Sequence, residues 1–281
     1  MGKGSVRHHD LLSLASMKAI LFGAGNVATH LGLALQQAGH KVVQVWSRTT
    51  DSAEALASWL DSTPHTFSED PESIKKDIEP TSPLVCIISV KDDAIAEVAS
   101  RFIPELPQAI WLHTAGSVSI DVLDQRLNPR FGVLYPMQTF SKSKPVDFSR
   151  IGIFIEAHGC EVELSELAHS LTQKVYTLDG EGRKRLHLAA VFACNFVNHC
   201  YALSESLLAD AGIPFEVMLP LIDETAEKVH TLSPRLAQTG PAARHDKLIM
   251  ERQSNMLAED PALRDIYERL SQSIIHLGML R

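Results

Sequence analysis

Apolar residues in the first half of the chain come in short unbroken runs. KAILF (18–22), KVVQVW (41–46), LVCIIS (84–89), AIWL (109–112), FGVLY (131–135), IGIFIEA (151–157) and KVYTL (174–178) read as strands. Between them, 26–38, 51–61, 92–101, 119–126 and 161–173 space apolar positions at helical intervals. Continuous apolar strands alternating with amphipathic helices predict a parallel sheet covered on both faces. After Asp179-Gly180 the texture changes to long helical periodicity, with helices expected near 183–211, 215–231, 241–257 and 261–277. Gly212, Pro214, Pro234 and Gly240-Pro241 punctuate them. The expected fold class is therefore α/β, a doubly wound Rossmann-like domain over 17–180 followed by an all-helical domain over 181–281. Residues 1–16 are polar, then briefly apolar, and read as a disordered extension or tag ahead of Met17.

Composition narrows the function classes. A net charge of −8 without any Lys/Arg block argues against a nucleic-acid partner. No apolar run is seen to reach the roughly 18 residues a membrane helix needs. The scattered Cys86, Cys160, Cys194 and Cys200 point to a reducing, cytoplasmic setting, and no metal-ligand spacing occurs among the 13 histidines.

The candidate chemistry begins at Gly23-Ala24-Gly25-Asn26-Val27-Ala28, a G-x-G-x-x-A turn between a strand and a helix. Gly23 permits the tight turn, Gly25 lets backbone approach a pyrophosphate, and Ala28 lets helix and strand pack closely. Gly23, Gly25, Asn26 and Val27 are thus expected to hold a dinucleotide at the helix N-terminus. The second strand ends in Ser47, Arg48 and Thr49, where an NAD site would place an acid; the first carboxylate is Asp51. A guanidinium flanked by hydroxyls suits a ribose 2′-phosphate, so the cofactor is read as NADP.

Three further strand ends are polar: 89–93, 113–117 and 135–140. Ser89, Val90 and His113 are expected along the cofactor, with His113 and Ser117 toward its nicotinamide end. Asp92 and Asp93 read as helix N-caps. In the first helix of the second domain, about 100° per residue brings His187, Asn198 and Glu205 within roughly 20° of one another, with Lys184 and Asn195 close by. Asparagines on so apolar a helix await either a substrate or a dimer core. Around 237–247, Thr239 or Gly240 would cap a helix with Pro241 at its first turn. Arg244 there would clamp a carboxylate or pair with Asp246 or Glu251.

Together FGAGNVATHL, ISVKDDAI, HTAGS, YPMQTFSK, HLAAVFACNFVNH, PLIDETAEKVH and AQTGPAARHD resemble a two-domain NADP oxidoreductase family, most of all its Bacteroidetes-type members. There a Rossmann-like domain precedes a helical domain of unknown function, and the resemblance covers about 17–281. More distantly the chain is similar to the 6-phosphogluconate dehydrogenase-like group, with pyrroline-5-carboxylate, ketopantoate and 3-hydroxyisobutyrate enzymes. The resemblance implies hydride transfer between NADPH and a small carboxylate-bearing carbonyl or imine compound, in a cleft between the domains of a homodimer. His187 or Lys184 would move the proton, and Asn195 and Asn198 would orient the substrate. Some members of that group use a Lys with an Asn four residues later; here Lys184 is followed by Leu188. That departure leaves open a non-catalytic NADP-binding sensor.

Overall fold

The computed structural model describes residues 16–76, 78, 83–123 and 128–279. Of the expected elements, residues 1–15 and the end of the 119–126 helix lie outside these. Eight strands form one sheet in the order β3-β2-β1-β4-β5-β6-β7-β8. They are β1 Lys18–Phe22, β2 Lys41–Ser47, β3 Thr63–Thr66, β4 Leu84–Ile88, β5 Ile110–His113, β6 Phe131–Pro136, β7 Ile153–His158 and β8 Val175–Thr177. Helices α1 Asn26–Gln37, α2 Thr50–Leu60, α3 Ile95–Phe102 and α4 Glu161–Leu171 flank it.

Alternation along the strands builds two cores. Ala19, Leu21, Val85 and Ile87 pack on one face with residues of α1 and α4. Ile20, Phe22, Trp46, Cys86, Ile88 and Trp111 pack on the other with residues of α3. The two indoles are buried, so each needs an acceptor; Trp46 donates to Gln44 at 2.9 Å and Trp111 to the Leu106 carbonyl at 3.0 Å. Gln44 in turn donates to the Ile74 and Lys76 carbonyls.

Two features depart from the sequence reading. β3 is an additional edge strand of Thr-Pro-His-Thr with no apolar pattern; β2 supplies its register, and an edge tolerates Pro64. The sheet is not all parallel, because β6 and β7 are antiparallel. Their connection holds a tight Ser141–Lys144 bridge and a 3₁₀ turn, Phe148–Arg150, rather than a crossover helix. Residues 120–123 form only a 3₁₀ turn as well.

The chain divides into two compact units after Val191. The break falls inside one continuous helix, Gly180–Asp210, made of α5 Gly180–Ala190, a π-helical stretch Val191–Phe196 and α6 Val197–Asp210. The second unit continues with α7 Leu219–Thr231, α8 Pro234–Ala237, α9 Lys247–Met256 and α10 Pro261–Met279. The helix expected over 241–257 starts only at Lys247, where the Asp246 carboxylate accepts from the Ile249 amide at 3.1 Å. Residues 241–245 are turns instead, with Gly240 at φ 103° and His245 at φ 56°. Arg244 is exposed and, among the described residues, makes no ion pair with Asp246 or Glu251.

Among the described residues of this unit, only Ala242 and Ser254 are buried. Phe192, Leu221, Leu236 and Met256 are 63%, 61%, 65% and 82% exposed. Helix Gly180–Asp210 also carries an 18-residue window of mean hydropathy 1.3, none of it buried. By length and composition it is apolar enough to cross a membrane, which corrects the expectation that no such run exists.

Candidate functional site

Strands β1, β4, β5 and β6 are parallel, so their carboxyl ends share one edge of the sheet. After β1 the chain reverses at Gly23, whose amide donates to the Trp46 carbonyl at 2.7 Å. Gly23 sits at φ 118°, and a Cβ there would press into the Ser89 carbonyl. Gly25 is the N-cap of α1, at an ordinary φ of −81° with no side-chain cap. A Cβ on Gly25 would meet nothing within 4 Å. The first-turn amides of α1 therefore face open space at the positive end of the helix dipole.

That space is a groove of about 810 Å³ lined by Gly23, Gly25, Asn26, Val27, Ser47, Arg48, Ser52, Ser89 and Val90 among others. It lies at the switch point between β1 and β4, where the strand order reverses. Arg48 is exposed and has no ion-pair partner among the described residues. Ser47 is buried beside it. Asp93 and Glu97 line the groove from the β4–α3 side. The open position beyond Gly25, the uncapped amides and the Arg48 guanidinium fit a dinucleotide with an extra phosphate.

Several expected positions fall elsewhere. Thr49 does not line the groove; it precedes α2 and donates to Ser52 Oγ at 2.9 Å, and Ser52 lines the wall instead. Asn26 lines the groove, but its amide donates to the Phe140 carbonyl at 2.8 Å, so its side chain is committed to the loop after β6. His30 bonds to the next carbonyl, that of Ser141, through Nε2 at 2.9 Å. Asp92 and Asp93 open a 3₁₀ turn without capping it, and the Asp92 carboxylate accepts from Ser117 Oγ.

His113 is the main correction, because it is enclosed at 0% exposure and does not line the groove. Its Nδ1 accepts from the Ala115 amide at 3.2 Å. Burial pushes its pKa down to about 4, the Arg183 charge acts in the same direction, and the Ser119 backbone opposes both. The unfolded chain therefore takes up this proton near pH 6.5, whereas the folded protein resists until about 4. Stability is full above pH 6.5 and falls as the pH drops toward 4. Urea unfolding is expected to show a loss of about 2 kcal/mol between pH 7.5 and 5 from this group, and His113→Gln should remove that part of the slope.

Beyond His113 along the same edge, Ser89 Oγ and Thr114 Oγ1 meet at 3.1 Å. Next comes Tyr135, whose hydroxyl lies 3.1 Å from His187 Nδ1, with the rings edge to face at 6.1 Å. Gly116 makes this approach possible: a Cβ there would lie 2.7 Å from His187 Nδ1 and 3.0 Å from Tyr135 Cζ. One turn before His187, Arg183 is 1% exposed, paired with the Glu156 carboxylate and donating to the Val118 carbonyl at 2.6 Å. Burial raises the Tyr135 pKa, Arg183 counters it and Asp92 reinforces it.

Of the other helix candidates, only Lys184 shares the unit of this cluster, and it is not part of it. Lys184 is exposed and paired with Glu181 at 2.9 Å. Asn195 and Asn198 are exposed residues of the second unit. The π-helical turn, with i→i+5 bonding, inserts a residue into the period, so the straight-helix spacing that aligned His187 with Asn198 and Glu205 does not hold. Gly116 and Tyr135 lie in the polar strand ends 113–117 and 135–140 but were given no individual role, and Glu156 and Arg183 were not singled out. Glu156 left a signal, a carboxylate inside the apolar run IGIFIEA.

Comparison with known proteins shows the family. Residues 18–111 match the family model described as NADP oxidoreductase coenzyme F420-dependent, and 151–274 match a domain of unknown function. A crystal structure described as a "putative NADP oxidoreductase" from Bacteroides fragilis is 46% identical, with a TM-score of 0.84 over 94% of this chain and 100% of that one. The chain belongs to this two-domain NADP oxidoreductase family. The family is one of NADP oxidoreductases, in keeping with the cofactor expected from the sequence. A Thermotoga maritima protein has the same fold at 20% identity and a TM-score of 0.69, over 93% of this chain and 98% of that one. So does a reductive aminase from Aspergillus terreus in complex with NADPH4, cyclohexanone and allyl amine. It is 18% identical, with a TM-score of 0.65, over 92% and 94% of the respective chains. No curated protein matches.

Proposed function

We propose that this chain uses NADPH to reduce a small carbonyl or imine compound bearing a carboxylate. The observation that carries this reading is the row of groups along one sheet edge: the glycine turn, then Ser89 and Thr114, then His187 held against the turn at Gly116. Gly23 and the α1 amides would hold the pyrophosphate, and Arg48 with Ser47 the 2′-phosphate. Ser89 and Val90 would flank the nicotinamide half.

The nicotinamide, when bound, supplies the hydride. This chain's own residues bind, orient and move the accompanying proton. His187 would move it, since an imidazole is the side chain best suited to proton transfer. Lys184 is held by Glu181, and the second-unit amides Asn195 and Asn198 take no part in this assignment.

The exposed leucines and phenylalanines of the second unit fit a homodimer, because a helical unit with two buried residues among those described lacks a core of its own. The free cysteines suit a reducing cytoplasm.

NADPH oxidation across a panel of 2-oxo acids and cyclic imines tests the reading. Turnover of at least one compound is expected, with His187→Ala lowering kcat about 100-fold, and light scattering should give twice 30.9 kDa. Tight NADPH binding without turnover would favour the sensor, and a 30.9 kDa particle would rule out the dimer.

A further inference from the structure

Reduction of a C=O or C=N bond leaves a lone pair on the heteroatom that must take one proton. His187 is the expected mover, yet its Nδ1 is already occupied at 3.1 Å by the Tyr135 hydroxyl. The phenol ends β6, on the edge that carries the glycine turn, three strand positions away in the order β1-β4-β5-β6. That is about 14 Å at the usual strand spacing. The Tyr135 side chain is part-buried, whereas His113 on the neighbouring strand is fully enclosed.

We propose that Tyr135 gives the proton to the reduced oxygen or nitrogen and that His187 restores it. The inference rests on the reductase reading above. As hydride reaches the substrate carbon, the π bond's electron pair moves to the heteroatom and takes the Tyr135 proton, breaking the phenolic O–H bond. The phenolate then takes a proton from Nδ1 of protonated His187, and His187 is recharged from water.

The surroundings suit each stage. Burial raises the phenol's pKa, so it waits in the neutral form that can donate. The Arg183 charge favours the transient phenolate, and its own pairing with Glu156 keeps it in place. Gly116 leaves no side chain between the two rings.

The test is Tyr135→Phe in the full chain, which removes one oxygen and keeps the ring. Expected are a kcat lower by about 100-fold, NADPH affinity within about threefold of wild type, and loss of the alkaline limb of the kcat–pH profile. A kcat within threefold of wild type would overturn the proposal. So would a fall in kcat that comes with equal loss of NADPH affinity, the mark of a merely structural role.

A second measurement needs no substrate. Phenolate absorbance of wild type minus Tyr135→Phe isolates this phenol from Tyr176, Tyr201 and Tyr267. His187→Gln should move its midpoint by about half a unit or more, and an unmoved midpoint would overturn the proton exchange. A wild type that turns over no compound contradicts the reductase reading instead, and the titration still decides whether these two groups share a proton.

Discussion

Glu156→Ala is expected to lower unfolding free energy by about 3 kcal/mol or more in urea denaturation. Glu156 is the carboxylate partner of Arg183, whose side chain is 1% exposed. Removing it leaves a guanidinium out of water with, among the described residues, only the Val118 carbonyl at 2.6 Å as a hydrogen-bonded acceptor. An uncompensated buried charge costs far more than the ion pair itself is worth. A built-in control is Arg130–Glu163, 2.6 Å apart with side chains 35% and 38% exposed. Glu163→Ala should cost under about 1 kcal/mol. Equal effects at the two sites would show that burial does not set the cost. Because His187 follows Arg183 by one helical turn, Glu156→Ala should also disturb the Tyr135–His187 contact.

Gly23→Ala is expected to abolish measurable NADPH binding and to destabilise the fold by at least about 2 kcal/mol. An L side chain at φ 118° is strained, and its Cβ would collide with the Ser89 backbone. β1 and β4 would have to part at the point where the groove opens. Gly25→Ala separates the two effects. Its φ is −81° and its Cβ would meet nothing within 4 Å, so denaturation should be unchanged. NADPH affinity should still fall, because that methyl points to where the pyrophosphate approaches. Full binding by both variants would mean that the turn holds nothing.

The parts legible in the sequence are those where local chemistry and global position agree. The glycine turn is one, since Gly23 needs a positive φ and Gly25 open space, and few other residues satisfy either. The strands of the sheet centre are another, because burial on both faces leaves an unbroken apolar run. β3 was illegible: Thr63, Pro64 and Thr66 carry no pattern, and His65 is held by stacking on Trp46 at 4.5 Å. The reversal of β7 was hidden because an apolar run does not encode direction. His113 shows the same limit in the site, since strand position alone did not reveal that Ala115 and its surroundings would close over it. The alignment of His187 with Asn198 assumed a straight α-helix, and the π-helical stretch Val191–Phe196 between them, invisible in composition, shifts the helical phase.

The central claim is that the groove beside Gly25 and Arg48 takes a dinucleotide with a 2′-phosphate, and titration calorimetry with NADPH and NADH tests it most directly. The account predicts one NADPH site per chain, NADH at least about tenfold weaker from the charge-assisted bonds of Arg48, and a gap that closes in Arg48→Ala. Equal affinity for the two nucleotides in the wild type, or no heat from either at millimolar concentration, would contradict it.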